Sequence, residues 1–510
     1  MKIIRFTAGL VASALLLAGC GAVEDSGAGP GSKHLDLVTV YPANSTDAHV
    51  NHTSFILNSG TTETLVGLDP ETNELYGWLA TDWSSEDSIH WTFAIREGVS
   101  FHDGTPMDAE AVRTSLQHSI DVNPGMAAAL KIAEMQAEGH TLKITTSEPY
   151  ASLPSQLVHY NTVITNVAAS TEYPIGTGAF RFTSFNTTGA AELERFEDYW
   201  DGKAKLDSVT MTANEDANTR LLSLQSGQAD VIYRPSLESL DALEKDSDFT
   251  VDAVPGARVY HLIYNYRGAN SDLFNNIEFR RGINALVDRE AIAGTILHGN
   301  AAVTDNPMPG GSPLSPPLED ISFSTDKALE HFRKAGLDVT DGRVTRNGAP
   351  VTLKVGTYVA RPELPQIAQA VQANAAKLGI EMTIDTADNI DEYLLAGDWD
   401  LATYSLATLT RGDGSYFVNG AFLPDGAQNF GGLDDPTLIS MIDTFNATVD
   451  TQSRAGQIRD IAVYVRDQSY NSYIVSPFET SAYKKTVSGW ITPSNEFEFQ
   501  MITRDLDIEQ

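Results

Sequence analysis

The chain has 510 residues, of which 42% are hydrophobic, 9% aromatic and 20% charged. That length implies two or more domains, or one with large insertions, and the composition excludes a disordered chain, a fibre and a multispanning membrane protein. Asp and Glu outnumber Lys and Arg 68 to 34, a formal net charge of −34, which argues against a nucleic-acid partner, whose phosphates a basic face must neutralise.

The N-terminus carries the first signal. Lys2 and Arg5 precede an apolar run from Phe6 to Leu17, and Leu17-Ala18-Gly19-Cys20 follows. A charged start, a short apolar stretch and small residues at the end describe a secretory signal peptide over residues 1–19. The run is shorter than the ~20 residues of a membrane-spanning helix. The Leu-Ala-Gly-Cys ending resembles the bacterial lipobox, which implies that Cys20 becomes the first mature residue and carries lipid. Cys20 is also the one cysteine of the chain, which excludes intrachain disulfides, Cys-only zinc sites and iron–sulfur clusters. Residues 20–32 are rich in Gly, Ala, Ser, Glu and Asp and read as a flexible tether.

The body alternates strand-like and helix-like segments. His49 and His52, three apart, could share one face of a helical turn and ligate a metal; the plainer reading is two surface histidines in a polar loop. Trp91, Phe93 and Ile95 alternate with Thr92, Ala94 and Arg96 as in a half-buried strand, and Asp103-Gly104 is a hairpin-turn pair. Gly176-Thr177-Gly178 reads as a tight turn before the strand Phe180-Arg181-Phe182. The strand at Val209-Thr210-Met211, a helix from Asp216 to Ser226 stopped by Gly227, and the strand Val231-Ile232-Tyr233 make a β-α-β unit. Residues 306–317 hold five prolines and two glycines and predict a long surface loop or linker. A second unit runs from a strand at Leu353–Tyr358 through a helix with Ile367, Val371, Ala375 and Leu378 on one face. Gly379 ends that helix, and Ile380, Met382 and Ile384 alternate as a strand. Leu401–Leu406 predicts a buried strand. The pattern is mixed α/β with at least two sheets.

Catalytic motifs are absent from the sequence. There is no Gly-x-Ser-x-Gly elbow, no phosphate loop, no His-Glu-x-x-His and no EF-hand loop. Gly176-Thr177-Gly178 lacks the third glycine of a dinucleotide fingerprint. The neighbouring carboxylates Asp434-Asp435 and Glu197-Asp198 read as loop or cap positions. No catalytic residue, cofactor or metal ligand is assigned.

A set of segments in fixed order resembles the extracytoplasmic solute-binding proteins of ABC importers, in the peptide/nickel-binding family. They are Glu74-Leu75-Tyr76-Gly77-Trp78-Leu79-Ala80 with Trp83; Trp91 to Val99 with Phe101-His102-Asp103-Gly104-Thr105-Pro106; and Asp108-Ala109-Glu110-Ala111-Val112. Pro174-Ile175-Gly176-Thr177-Gly178-Ala179-Phe180, Asp198-Tyr199-Trp200-Asp201-Gly202-Lys203, Thr219-Arg220 and Leu224 to Val231 follow. Phe279 to Ala285 and Asp288-Arg289-Glu290 complete the set. The resemblance implies a two-lobed periplasmic-binding-protein-like α/β fold (type II, cluster C) with an extra domain on the first lobe. Lobe I would comprise 33–62, 170–262 and 480–510, the extra domain 63–169, and lobe II 263–479. It implies a lipid-anchored monomer that traps a short peptide or a nickel or other metal chelate between its lobes. The chain would then deliver that ligand to permease and ATPase subunits. The rival readings are an anchored extracellular enzyme and an anchored sensor module.

The nickel branch of the family implies cleft arginines and a histidine. Here His159-Tyr160 replaces one arginine, Asn123-Pro124-Gly125-Met126 another, and Tyr404 or Ser405 the histidine. The segment from Thr408 to Phe422 follows a buried strand, where ligand loops belong in open α/β sheets. The candidate ligand-binding residues are therefore His159, Tyr160, Tyr404, Arg411, Tyr416 and Asn419. Arg411 would clamp a carboxylate or, in the plainer reading, pair with Asp413.

Overall fold

The computed structural model describes residues 32–70, 72–187, 190–319 and 322–509. The signal segment, Cys20 and the tether up to Gly31 lie outside the described residues. Among the described residues, no helix is long and apolar enough to cross a membrane.

Twelve strands of the described residues form one sheet. Its path runs through 381–387, 352–358, 401–407, 258–264, 472–484, 231–233, 34–39, 208–213, 190–195 and 180–185. Strands Phe249–Pro255 and Ala301–Val303 also pair with Ser472–Lys484. The predicted β-α-β units are both present. Ser208–Ala213, helix Ala217–Gln225 and Val231–Tyr233 form the first, and Thr352–Tyr358, helix Glu363–Lys377 and Glu381–Ala387 form the second. Ile367, Val371, Ala375 and Leu378 are buried, as their spacing predicts. In the first helix Leu224 is buried, but Leu222 is 62% exposed, because only one face of so short a helix meets the sheet.

The long strand Ser472–Lys484 belongs to two apolar cores. Its first half pairs with Arg258–Tyr264 over the core of Leu262, Phe279, Phe332, Val355 and Ile367. Its second half pairs with Phe249–Pro255 and Val231–Tyr233; Val231 and Tyr233 lie over the core of Leu37, Met211 and Ile502. The chain crosses between the two lobes again at Pro255-Gly256-Ala257-Arg258. Gly256 passes so near Pro477 that a Cβ there would lie 2.4 Å from the Pro477 carbonyl oxygen.

A separate antiparallel sheet, ordered 80–84, 90–95, 141–146 and 132–138, packs under helix Ala109–Val122. Trp91, Phe93 and Ile95 are its buried face. The segment from Asn306 to Pro317 is irregular, as predicted, but it is not wholly superficial. Met308 is fully buried in the cluster of Phe417, Ile442 and Ile461, and Asn306 is buried too.

Several family-like segments close on Glu63, which has no exposed surface. It accepts hydrogen bonds from Thr177 (2.6 Å), Tyr199 (2.7 Å) and Trp200 (3.0 Å). Gly176 and Gly178 lie against the backbone of Thr61 and Gly60, where a Cβ would sit 2.2 Å from a carbonyl oxygen in each case. This close approach accounts for both glycines without any phosphate. Burial pushes the Glu63 carboxyl up to about 7, against the pull of its three donors. A carboxyl raised in the fold favours the fold when protonated, so its contribution is present below its ordinary value and lost as pH rises through 7. Glu63→Gln is expected to flatten the pH dependence of stability over that interval, where the wild type loses roughly 3 kcal/mol. Denaturant unfolding at pH 5 and pH 8 measures it; an unchanged slope would remove Glu63 as the source.

Candidate ligand-binding cleft

The cleft is built where the two lobes meet, at the carboxyl ends of the parallel strands His34–Thr39, Ser208–Ala213 and Val231–Tyr233. A cavity of about 240 Å³ lies there, lined by Tyr41, His52, Ser54, Tyr233, Arg361 and Phe497, with Glu496 at its edge. Its size is near the lower end of the ~300–1,000 Å³ of small-molecule sites.

Glu496 organises the charges. Its Oε1 lies 2.9 Å from Arg258, 3.0 Å from Arg361 and 3.4 Å from Arg234. Burial alone would raise this carboxyl, but the three guanidiniums outweigh it and hold it well below the usual range. Arg234 also forms a two-point pair with Glu479, at 2.7 Å for both contacts. Glu496 is tied to the side of the core holding Leu37 and Phe55, since Ser54 and Asn58 donate to its backbone carbonyl. Arg361 stands between strand Thr352–Tyr358 and helix Glu363–Lys377 of the other lobe. The Glu496–Arg361 pair therefore spans the cleft.

Phe497 separates the cavity from a second group of residues. Tyr160 stacks between Phe497, at 6.0 Å, and His159, at 4.1 Å. Arg411 lies over the Tyr416 ring at 4.4 Å, donates to Gln156 and approaches Glu498 at 3.5 Å. Asp413 is not its partner; that carboxylate pairs with Arg454 and accepts from Ser155. Burial pushes the Glu498 carboxyl up to about 7, with Arg411 opposing and Glu496 assisting the rise. Burial, with the charge of Arg411, holds His159 well below its ordinary value, so the ring is neutral. His159 Nδ1 accepts the Asn161 amide at 3.1 Å. The ring proton consequently sits on Nε2, which makes His159 a donor rather than a metal ligand.

The structure brings His159, Tyr160, Arg411 and Tyr416 together. Tyr404 stands next to them across Gln428, with which it lines a small cavity, but its hydroxyl is committed to Asp391 at 2.8 Å. Asn419 lies apart, exchanging amide hydrogen bonds with Asn446. The residues that sequence reasoning missed are Arg234, Arg258, Arg361, Glu496, Phe497 and Glu498. The run Glu496-Phe497-Glu498-Phe499 carries no motif, and each arginine comes from a different element. Among the described residues, Nε of Arg258, Nε of Arg411, Oε2 of Glu496 and Oε2 of Glu498 are buried with no protein hydrogen-bond partner. Arg234 and Arg411 also hold left-handed backbone, with φ of 53° and 62°, a strain that clusters at binding sites. Fork-shaped donors with unspent capacity, flanked by stacked rings, can hold a small carboxylate-bearing ligand.

Two lobes over a charged, aromatic-lined cleft define a solute-binding protein. Residues 74–429 match the family described as bacterial extracellular solute-binding proteins, family 5. The chain belongs to that family, whose members are binding proteins of transport systems and not enzymes. It is 28% identical to the nickel-binding protein NikA of Staphylococcus aureus over 95% of this chain and 96% of that one. The glutathione-binding protein GsiB of Escherichia coli K12 is also 28% identical, over 74% of this chain and 72% of its own. The crystal structure of a nickel ABC transporter protein from Bacillus halodurans superposes with a TM-score of 0.83 at 40% identity, covering 94% of this chain and all of that one.

Arg361→Ala is expected to leave the protein folded, since Arg234 and Arg258 still compensate Glu496. The cost should stay below the ~3–5 kcal/mol of an uncompensated buried charge. It should also loosen the lobes, read as a larger radius of gyration by small-angle X-ray scattering of the ligand-free protein.

Proposed function

We propose that this chain is the lipid-anchored solute-binding component of an ABC importer, and that its ligand is nickel carried as a small carboxylate-bearing chelate. The observation that carries the reading is the set of buried guanidinium and carboxyl atoms without protein hydrogen-bond partners, gathered where the lobes meet. The similarity to two proteins named for nickel, at 28% and 40% identity over nearly the whole chain, supports the metal. In this reading the chelator supplies the metal's ligands, and Arg411 grips a carboxylate of the chelator. His159 donates its Nε2 proton, and Tyr160, Tyr416 and Phe497 cover the complex and exclude water. With the boundaries drawn at the two backbone crossings, lobe I is assigned 33–62, 170–257 and 478–510, its extra domain 63–169, and lobe II 258–477. Closure is stabilised only as far as the ligand prefers the closed form, and about 5.5 kcal/mol of preference inverts a 1:99 ratio.

Calorimetric titration of the lipid-free mature protein with nickel–histidine, glutathione and short peptides tests the ligand. Nickel–histidine should bind, and Arg411→Ala should weaken it by roughly tenfold to a hundredfold, the loss of a charged hydrogen bond. Binding of peptide or glutathione alone would overturn the nickel reading. The anchor is tested separately: labelled palmitate should enter the wild type in cells and be absent from Cys20→Ala.

A further inference from the structure

A second cluster of metal-competent side chains lies outside the cleft. The loop after strand His34–Thr39 carries Asp47 and His49, and helix Ala109–Val122 carries His118. The loop is held rigid by Asn51, whose amide oxygen accepts the backbone N–H of Asn44 and Ser45. His49 is buried rather than superficial, while His52 is exposed, so the partner of His49 is not its sequence neighbour. His49 Nδ1 stands 3.1 Å from Asp47 Oδ1, and His118 Nε2 stands 2.8 Å from Asp47 Oδ2. One donor atom from each of the three residues lies within 4.8 Å of the others.

The hydrogen bonds around His49 single out which ring nitrogen is available. Its Nε2 lies 3.0 Å from the Val163 carbonyl and 3.2 Å from Ser115 Oγ. The Ser115 hydroxyl is already donated to that same carbonyl, so both neighbours are acceptors and Nε2 carries the proton. Nδ1 then directs a lone pair at the Asp47 carboxylate, whose Oδ1 already accepts the His49 backbone N–H at 2.9 Å. Two acceptors facing each other at 3.1 Å are reconciled by a proton or by a metal ion between them. A metal-ligating histidine characteristically donates its other N–H to a backbone carbonyl, which is the arrangement of His49 with Val163.

We propose that Asp47, His49 and His118 form a binding site for a divalent transition metal of the zinc–nickel class, separate from the ligand cleft. Two imidazoles and a carboxylate are the ligand set such ions take. The donor atoms, one from each residue and all within 4.8 Å of one another, would need only small side-chain rotations to reach the ~3.3 Å expected between ligands of a tetrahedral ion with ~2.0 Å bonds. The side chains of Asp47 and His118 are 34% and 28% exposed, which gives the ion a path in and leaves a position for water. The bound ion would pin this loop to helix Ala109–Val122. The same loop continues into His52, Thr53 and Ser54 on the cavity wall, so metal occupancy would stiffen that wall.

The test uses the full mature protein, stripped of metal and titrated with zinc and with cobalt(II), neither accompanied by a chelator. One equivalent should bind, cobalt should develop visible ligand-field bands, and zinc should raise the melting temperature. Asp47→Asn and His118→Gln should each weaken binding at least tenfold and abolish the bands. Circular dichroism confirms that both variants fold. Arg411→Ala should leave the metal titration intact, which separates this site from the cleft whatever the cleft binds. Undiminished stoichiometric binding by both variants, or none by the folded wild type, would overturn the proposal and leave His49 as an imidazolium paired with Asp47.

Discussion

The strand Ser472–Lys484 is the constraint on which the rest depends. It is shared by both lobes, so a single hydrogen-bonded sheet runs through the molecule. Any change in the angle between the lobes must be absorbed near Pro477, where the strand exchanges one set of partners for the other. The second crossing, at Pro255-Gly256-Ala257-Arg258, lies against it with room for no side chain at Gly256. Two adjacent backbone crossings of this kind make a hinge rather than a flexible linker. They also fix which residues can meet when the lobes approach.

The charges that meet there run opposite to the composition. The chain carries a large acidic excess, yet Arg234, Arg258, Arg361 and Arg411 gather around Glu496 and Glu498 at the junction. Burying ions costs several kcal/mol each, and attraction repays it only where geometry and hydrogen bonds are good. Glu496 meets that condition through three guanidiniums: Arg234 at the end of strand Val231–Tyr233, Arg258 at the crossing and Arg361 from the opposite lobe. Glu498 meets it incompletely, with Arg411 at 3.5 Å and one oxygen without a partner. An incompletely compensated pair of this sort favours an incoming group that completes it, which is how a cleft selects a ligand over water.

The segments that identify the family and the residues that face the cleft are largely different sets. Arg220 binds the carbonyls of Tyr233 and Asn214, Arg280 those of Ser469 and Phe274, and Arg289 that of Tyr473. Arg220 staples a helix to its neighbouring strands, while Arg280 and Arg289 join elements more than 180 residues apart. Glu63 gathers Thr177, Tyr199 and Trp200 in the same manner. Such residues are fixed by the buried polar groups they bind, not by a ligand. Cleft residues answer only to the ligand, which explains why the motifs revealed the fold far better than the site.

The sequence by itself determined the strand and helix periodicities, the two β-α-β units, the half-buried strand at Trp91 to Ile95 and the family. These rest on local patterns, in which neighbours a few residues apart share a face. It also pointed to the loop holding Arg411, because a ligand loop follows the end of a buried strand, and to His159-Tyr160, which stand where the family resemblance implies an arginine. It could not show that Arg411 turns to Gln156 and Glu498 rather than to Asp413, or that Asn419 turns away to Asn446. Nor could it join Glu496 to Arg234, Arg258 and Arg361, or His49 to His118 instead of His52. Those pairings span up to 262 residues of chain. Only the tertiary structure decides them, because a contact between distant segments is set by how the sheet and its hinge bring them together, and it leaves no period in the sequence.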